Sequence, residues 1–206
     1  MKKVLCFGDS NVYGFIPENA KRYDKNNRWS GILQNLAQNK FEIIEAGCNN
    51  RTGFTDNPAG KEQTGYKILP NFLEKDLDCV VLAIGINDLQ KFYNVNEDDI
   101  KIGIEKLIKI VRSHCPYAKI IIASPSKIKN NILNSFFASM FDETSIKKSD
   151  LIGDLYKKAA TENSCYYIDL GKIASVSDID GLHYEPEEHK KIADAMFKTL
   201  CRIFEF

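Results

Sequence analysis

The chain reads as a parallel, doubly wound α/β sheet, and three observations predict it. Short apolar runs alternate with helical patterns along the whole length, the rhythm that lays strands side by side with helices crossing over them. One run, Cys79-Val80-Val81-Leu82-Ala83-Ile84, has no polar member, as expected of a strand covered on both faces. The 206 residues suit one such unit with a substantial core. No internal repeat, low-complexity tract or linker interrupts them, so residues 1–206 are expected to form a single domain.

The first strand is Val4-Leu5-Cys6-Phe7, which runs into Gly8-Asp9-Ser10-Asn11, residues that favour turns and helix starts over strand continuation. Phe15 to Asn27 is polar and irregular, a loop able to wall one side of a pocket. Ser30 is the expected cap of a helix reaching about Gln38, with Ile32, Leu33 and Leu36 at helical spacing. Trp29, the lone tryptophan, either lines an acyl pocket or staples that helix's first turn. Phe41 to Ala46 is the second strand, followed by a loop from Gly47 to Gly53 rich in residues that tolerate unusual backbone angles. A helix is expected from Gly65 to Leu73, interrupted by Pro70. The third strand ends in Gly85-Ile86-Asn87-Asp88. A periodic helix from about Glu97 to Ser113 carries Ile100, Ile104, Leu107, Ile108 and Val111 on one face. Lys119 to Ala123 is the fourth strand. Asn130 to Asp150 has apolar pieces without a period, as a lid or a subunit contact would. A helix from about Leu151 to Asn163, a strand from Cys165 to Leu170 and a helix from Glu187 to Ile203 complete the chain.

Lys plus Arg and Asp plus Glu both number 28, so neither nucleic acid nor an anionic membrane is an expected partner. Only four apolar residues follow Met1-Lys2-Lys3 before Gly8, too few for a signal-peptide core or a membrane span. A cytoplasmic protein is expected. The six cysteines lack any C-x-x-C pair, and Cys6, Cys79 and Cys165 fall in or beside strand runs, where a reduced thiol acts as a small hydrophobe. Their spacing with histidine supports no metal site.

Ser10 stands at the carboxyl end of the first strand, where open α/β sheets place their ligands. A serine hydroxyl is a weak nucleophile until a base takes its proton, and three histidines could supply one. His114 precedes the fourth strand, at the wrong rim. His189 lies within the last helix and reads as a surface residue. His183 follows a glycine in a loop and has Asp180 three residues before it, close enough to reach Nδ1–H and hold the tautomer. Asp178, five residues before, is the rival carboxylate. Asn87 offers an amide donor for an oxyanion, the loop after the second strand offers backbone N–H groups, and Ser10 offers its own. Asp9 reads as a structural acceptor for nearby backbone N–H groups.

Gly8-Asp9-Ser10-Asn11, the Gly47 loop, Gly85-Ile86-Asn87-Asp88 and Asp180-Gly181-Leu182-His183 together resemble the four blocks of the SGNH, or GDSL-type, hydrolases, in order. Arg28-Trp29 and Asn50-Arg51-Thr52 further resemble the arylesterase, acetyl esterase and perhydrolase branch. The resemblance implies a flavodoxin-like three-layer α/β/α sandwich with strand order 2-1-3-4-5. It also implies ester hydrolysis without a cofactor or metal, with Ser10 as nucleophile, His183 as base then acid and Asp180 orienting it. The implied oxyanion donors are Ser10 N–H, the Asn87 amide and Asn50 N–H, with Gly47 as fallback. Asn50 stands where most of the family has glycine, and its amide is expected to protrude into the crevice and orient the acyl group. Asn11 and Trp29 are expected at the substrate pocket, and the aromatic segment from Phe136 to Phe141 at its edge. A small acyl ester, acetyl above all, is the implied substrate, with a thioester or a lysophospholipid as alternatives and a homo-oligomer as the implied assembly. Two readings from other classes remain: a nucleotide- or flavin-binding domain, against which the first turn lacks a glycine-rich phosphate loop, and a non-catalytic ligand-binding subunit.

Overall fold

Five parallel strands in the order β2-β1-β3-β4-β5 make the sheet of the computed structural model, which describes all residues 1–206. They are β1 (Lys2–Gly8), β2 (Phe41–Gly47), β3 (Cys79–Ala83), β4 (Lys119–Ser124) and β5 (Tyr166–Asp169). Six helices accompany them: α1 (Ser10–Tyr13), α2 (Trp29–Ala37), α3 (Gly65–Ile68), α4 (Glu97–His114), α5 (Glu143–Glu162) and α6 (Pro186–Phe204). This is the three-layer α/β arrangement, with the expected strand order.

Strand alternation divides the core in two. Leu5, Phe7, Val80, Leu82, Ile120 and Ile122 face one layer, in which α4 and α5 pack. Val4, Cys6, Cys79, Val81, Ile121 and Ala123 face the other, against α2 and α6. The five apolar residues of α4 that share one face are all fully buried. Each is worth about 1.5–3 kcal/mol, far more than the few tenths that β-branched residues cost a helix in propensity. None of the helices is long and apolar enough to cross a membrane.

Register is what makes a site out of this sheet. Gly8 pairs laterally with Gly47 and with Ala83, so β1, β2 and β3 release their chains at one edge, side by side. Position 47 must be glycine, because a Cβ there would sit 2.1 Å from the Tyr13 backbone nitrogen in α1. That close approach seats α1, and with it Ser10, directly on the strand ends.

Several local expectations are corrected. Helix α2 begins at Trp29, not after Ser30, and Arg28 holds the cap position without a side-chain cap. Ser30 Oγ instead donates to Glu45 Oε1 at 2.6 Å, while Arg28 grips the same carboxylate through Nε and Nη2 at 2.8 and 2.7 Å. A half-buried glutamate in β2 needs those donors more than the helix needs a hydroxyl cap. Pro70 does break the helix expected at 65–73, which becomes α3 and a 3₁₀ turn at Leu69–Phe72. Helix α5 starts two turns earlier than expected, at Glu143, because Asp142 and Ser145 form a reciprocal capping box. What remains of the aperiodic stretch is two 3₁₀ turns, Asn130–Asn134 and Phe136–Ser139. His189 is no surface residue: α6 packs against α2 and buries it completely.

Candidate active site

Asp9 begins the site. Its side chain accepts from Asn11 N–H at 2.9 Å and so caps α1, which turns the chain sharply after β1 and holds Ser10 over the sheet edge. Burial pushes the Asp9 carboxyl up to about 7 in spite of that hydrogen bond, with the charge of Asp88 adding to the rise. The sequence expectation of a structural acceptor describes this geometry.

Ser10, His183 and Asp180 lie in one hydrogen-bonded row. Ser10 Oγ is 2.9 Å from His183 Nε2, and His183 Nδ1 is 2.6 Å from Asp180 Oδ2. The other carboxylate oxygen, Oδ1, accepts from the backbone N–H groups of Leu182 and His183 at 2.9 and 3.0 Å. The carboxylate is therefore fixed before it orients the ring. Burial raises the Asp180 pKa, but the hydrogen bond and charge of His183 outweigh it, so the net shift is downward. Asp178 points elsewhere, to Lys129 Nζ at 2.6 Å, and His114 is exposed at the end of α4.

Ser10, Asn50 and Asn87, the residues expected to donate to an oxyanion, all line one cavity. The N–H groups of Ser10 and Asn50 have no acceptor within the chain. Asn50 is left-handed, with φ +58°, a conformation asparagine tolerates better than most residues. Gly47 instead packs beneath α1 and does not reach the cavity. Asn87, 3% exposed, donates from Nδ2 to the Arg51 carbonyl at 3.1 Å and keeps its second N–H. Two buried side chains hold the Asn50 loop. Arg51 donates from Nη1 to the carbonyls of Gly8 and Ala46 and lies over the Phe7 ring at 4.8 Å. Asp88 accepts from the N–H groups of Gly53, Phe54 and Thr55 and from Thr55 Oγ1. Even with those four bonds, burial pushes the Asp88 carboxyl up to about 6.

A cavity of about 360 Å³ opens over this row. Phe15, Phe136, Phe137, Met140 and Leu182 form its apolar wall, and Asn49, Asn50 and Asn87 its amide wall. The Phe15 ring stacks on His183 with centroids 4.2 Å apart, and Phe137 approaches it at 5.2 Å. A larger hollow of about 470 Å³ at the opposite rim, around Arg112, Tyr117 and Tyr166, has no hydrogen-bonded nucleophile and base.

Two pocket expectations fail. Trp29 is 1% exposed, belongs to the α2–α6 core and spends its indole N–H on the Asn11 carbonyl at 3.1 Å. Asn11 turns away from the cavity and donates to the Leu182 carbonyl at 3.3 Å. Each side chain instead ties α1 to its surroundings, Trp29 to α2 and Asn11 to the loop of His183. Phe141, from the aromatic segment, is core, whereas Phe136 and Phe137 line the cavity. Met140, inside the segment expected at the pocket edge, lines the cavity too, whereas sequence reasoning missed Leu182 as a wall residue and Gln90. Gln90 alone carried a signal, one 3₁₀ turn beyond Asn87.

The family model of the GDSL-like lipase/acylhydrolases matches residues 6–191. A carbohydrate acetylesterase family member from Sinorhizobium meliloti is 29% identical, with a TM-score of 0.92 and 100% of both chains covered. An aryl esterase from M. smegmatis is 25% identical, with a TM-score of 0.89 over 97% of this chain and 98% of that one. A lipase/acylhydrolase from Enterococcus faecalis, 20% identical with a TM-score of 0.69 over 97% of this chain and 95% of that one, shares the fold. No match was found among curated proteins.

Proposed function

The chain belongs to the GDSL-like lipase/acylhydrolase family and is a carboxylic ester hydrolase; on that premise, we propose that it cleaves short acyl esters, acetyl esters above all, through Ser10, His183 and Asp180. Ser10 Oγ attacks the ester carbonyl as His183 Nε2 takes its proton. Asp180 holds the ring and stabilises the imidazolium that forms. The N–H groups of Ser10 and Asn50 and the Asn87 amide receive the charge that develops on the carbonyl oxygen. His183 then protonates the departing alcohol, and water, deprotonated by the same imidazole, releases the acid and restores Ser10.

The unbroken row from Ser10 Oγ to Asp180 at 2.9 and 2.6 Å carries this reading. Acetyl preference draws support from the likeness to the S. meliloti acetylesterase family member. In the same reading the protein is one catalytic domain acting in the cytoplasm on a small-molecule ester, without cofactor, metal or nucleic acid. It also self-associates, which light scattering tests.

A fluorophosphonate probe tests the mechanism, since it labels only an activated hydroxyl. The expected result is modification at Ser10, abolished in Ser10→Ala together with hydrolysis of p-nitrophenyl acetate. Comparing acetyl, butyryl and octanoyl esters of one alcohol reads the chain-length preference; faster octanoyl turnover would overturn it.

A further inference from the structure

Three amides beside Ser10 form a relay whose direction is set by one backbone carbonyl. Asn87 Nδ2 lies 3.1 Å from the Arg51 carbonyl oxygen, which can only accept, so the nitrogen end of that amide faces Arg51. Asn87 Oδ1 therefore faces the other way, 3.2 Å from Gln90 Nε2. The same Gln90 nitrogen lies 2.9 Å from Asn50 Oδ1. Gln90 is 4% exposed, and its two N–H groups are consumed by these two oxygens. Turning any one amide over would set oxygen against oxygen or nitrogen against nitrogen in a buried place, at a cost above that of a lost hydrogen bond.

The end of this relay is the Asn50 Nδ2 group. It makes no hydrogen bond within the chain, and Asn50 lines the cavity. Its backbone is fixed as well: φ is +58° and its carbonyl accepts from Asn57 Nδ2 at 2.7 Å. Both amide oxygens are held by one nitrogen, so the Asn50 and Asn87 side chains are tied together on one wall of the cavity. A substrate carbonyl held by Asn87 thus brings its own neighbouring atoms to Asn50. The leaving alcohol must take its proton from His183, on the side walled by Phe15 and Phe137. With the alcohol on that side, the amide side is open to the acyl substituent.

We propose that Gln90 is a positioning residue that orients Asn87 and Asn50 together, and that Asn50 Nδ2 selects esters whose short acyl group carries an acceptor oxygen near the carbonyl, of the alkoxyacyl or hydroxyacyl class. This rests on the hydrolase mechanism proposed above and adds a specificity element to it. A purely aliphatic acyl chain of equal length leaves the Asn50 donor unpaired when it displaces water, and loses affinity for that reason.

The test compares p-nitrophenyl methoxyacetate with p-nitrophenyl butyrate, which differ by one oxygen in place of one methylene. The wild-type ratio of kcat/KM values, divided by the ratio of the uncatalysed hydrolysis rates, is expected to exceed unity by about three- to tenfold, the size of one neutral hydrogen bond. Asn50→Gly keeps the left-handed backbone and its N–H while removing the amide, and is expected to bring the corrected ratio to about one. Gln90→Glu presents oxygens where nitrogen stood. Asn50 then turns its oxygen into the cavity, the ratio falls similarly, and kcat falls on both esters because Asn87 is disturbed. A corrected ratio that stays within twofold of wild type in Asn50→Gly overturns the proposal, whether or not the Gln90 variant folds. Absence of both ester turnover and fluorophosphonate labelling in the wild type is a different result, which removes the Ser10 mechanism and this inference with it.

Discussion

Two histidines six residues apart, both buried, meet opposite fates. His183 sits in the loop before α6 with both ring nitrogens occupied, one on Asp180 and one on Ser10. His189 sits in α6, where Nδ1 accepts the Trp29 backbone N–H at 3.3 Å and Nε2 has no partner. Burial, reinforced by the charge of His183, drives the His189 pKa down to about 3. A buried ring can take a proton during turnover only where a fixed carboxylate offsets the loss of water. Asp180 supplies that at one ring; the Tyr23 and Tyr184 rings around the other supply none.

Breaking the His183 side should have the largest effects. His183→Ala is expected to lower kcat on p-nitrophenyl acetate by about 10⁶-fold, because nucleophile and base fail as a unit. Asp180→Asn leaves the ring in place but in the wrong tautomer, and should cost about 10⁴-fold in kcat. Asn87→Ala removes one proposed oxyanion donor and should cost about 10²–10³-fold, mainly in kcat; an effect confined to KM would assign Asn87 to substrate binding instead.

The His189 side should answer in stability, not turnover. His189→Gln, whose amide oxygen can accept from Trp29 N–H, is expected to hold kcat within about threefold of wild type. Below pH 6.5 the unfolded His189 takes up a proton that the folded one refuses until about pH 3. Stability linked to His189 is thus full above pH 6.5 and is lost as pH falls toward 3. The variant lacks this loss, so urea unfolding at pH 7 and pH 5 should show a smaller drop for His189→Gln, by about 1–2 kcal/mol. An equal drop in both proteins would mean that His189 is solvated in the native state.

The difference between the two rings was half legible in the chain. Asp180 and His183 announce themselves locally, by an offset that lets a carboxylate reach back to a ring, and Ser10 follows from the rule for strand ends. The strands were readable for a similar reason, since a run such as Cys79–Ala83 needs no partner to declare itself buried. His189 and Trp29 carry no such local signal. Periodicity says that α6 has an apolar face, but which neighbour closes over it depends on α2, some 150 residues earlier. The early start of α5 was hidden because Asp142 and Ser145 read as loop residues until their reciprocal bonds are seen. Gln90 was only partly legible: its place one 3₁₀ turn beyond Asn87 is local, but its second partner, Asn50, stands 40 residues earlier on the loop after β2.

The closeness of α1 to the strand ends also bears on how this enzyme could diversify. A side chain at position 8 would collide with the Ala83 carbonyl and Val12, and one at position 47 with the Val12–Tyr13 backbone, so neither site offers a route to variants. Phe136 and Phe137 stand on a short 3₁₀ turn, with Met140 just beyond it, and Phe136 is 86% exposed. A library aimed at bulkier acids or alcohols should therefore randomise 136, 137 and 140 and leave the two glycines alone, because that wall can be recut without moving Ser10, the proposed nucleophile.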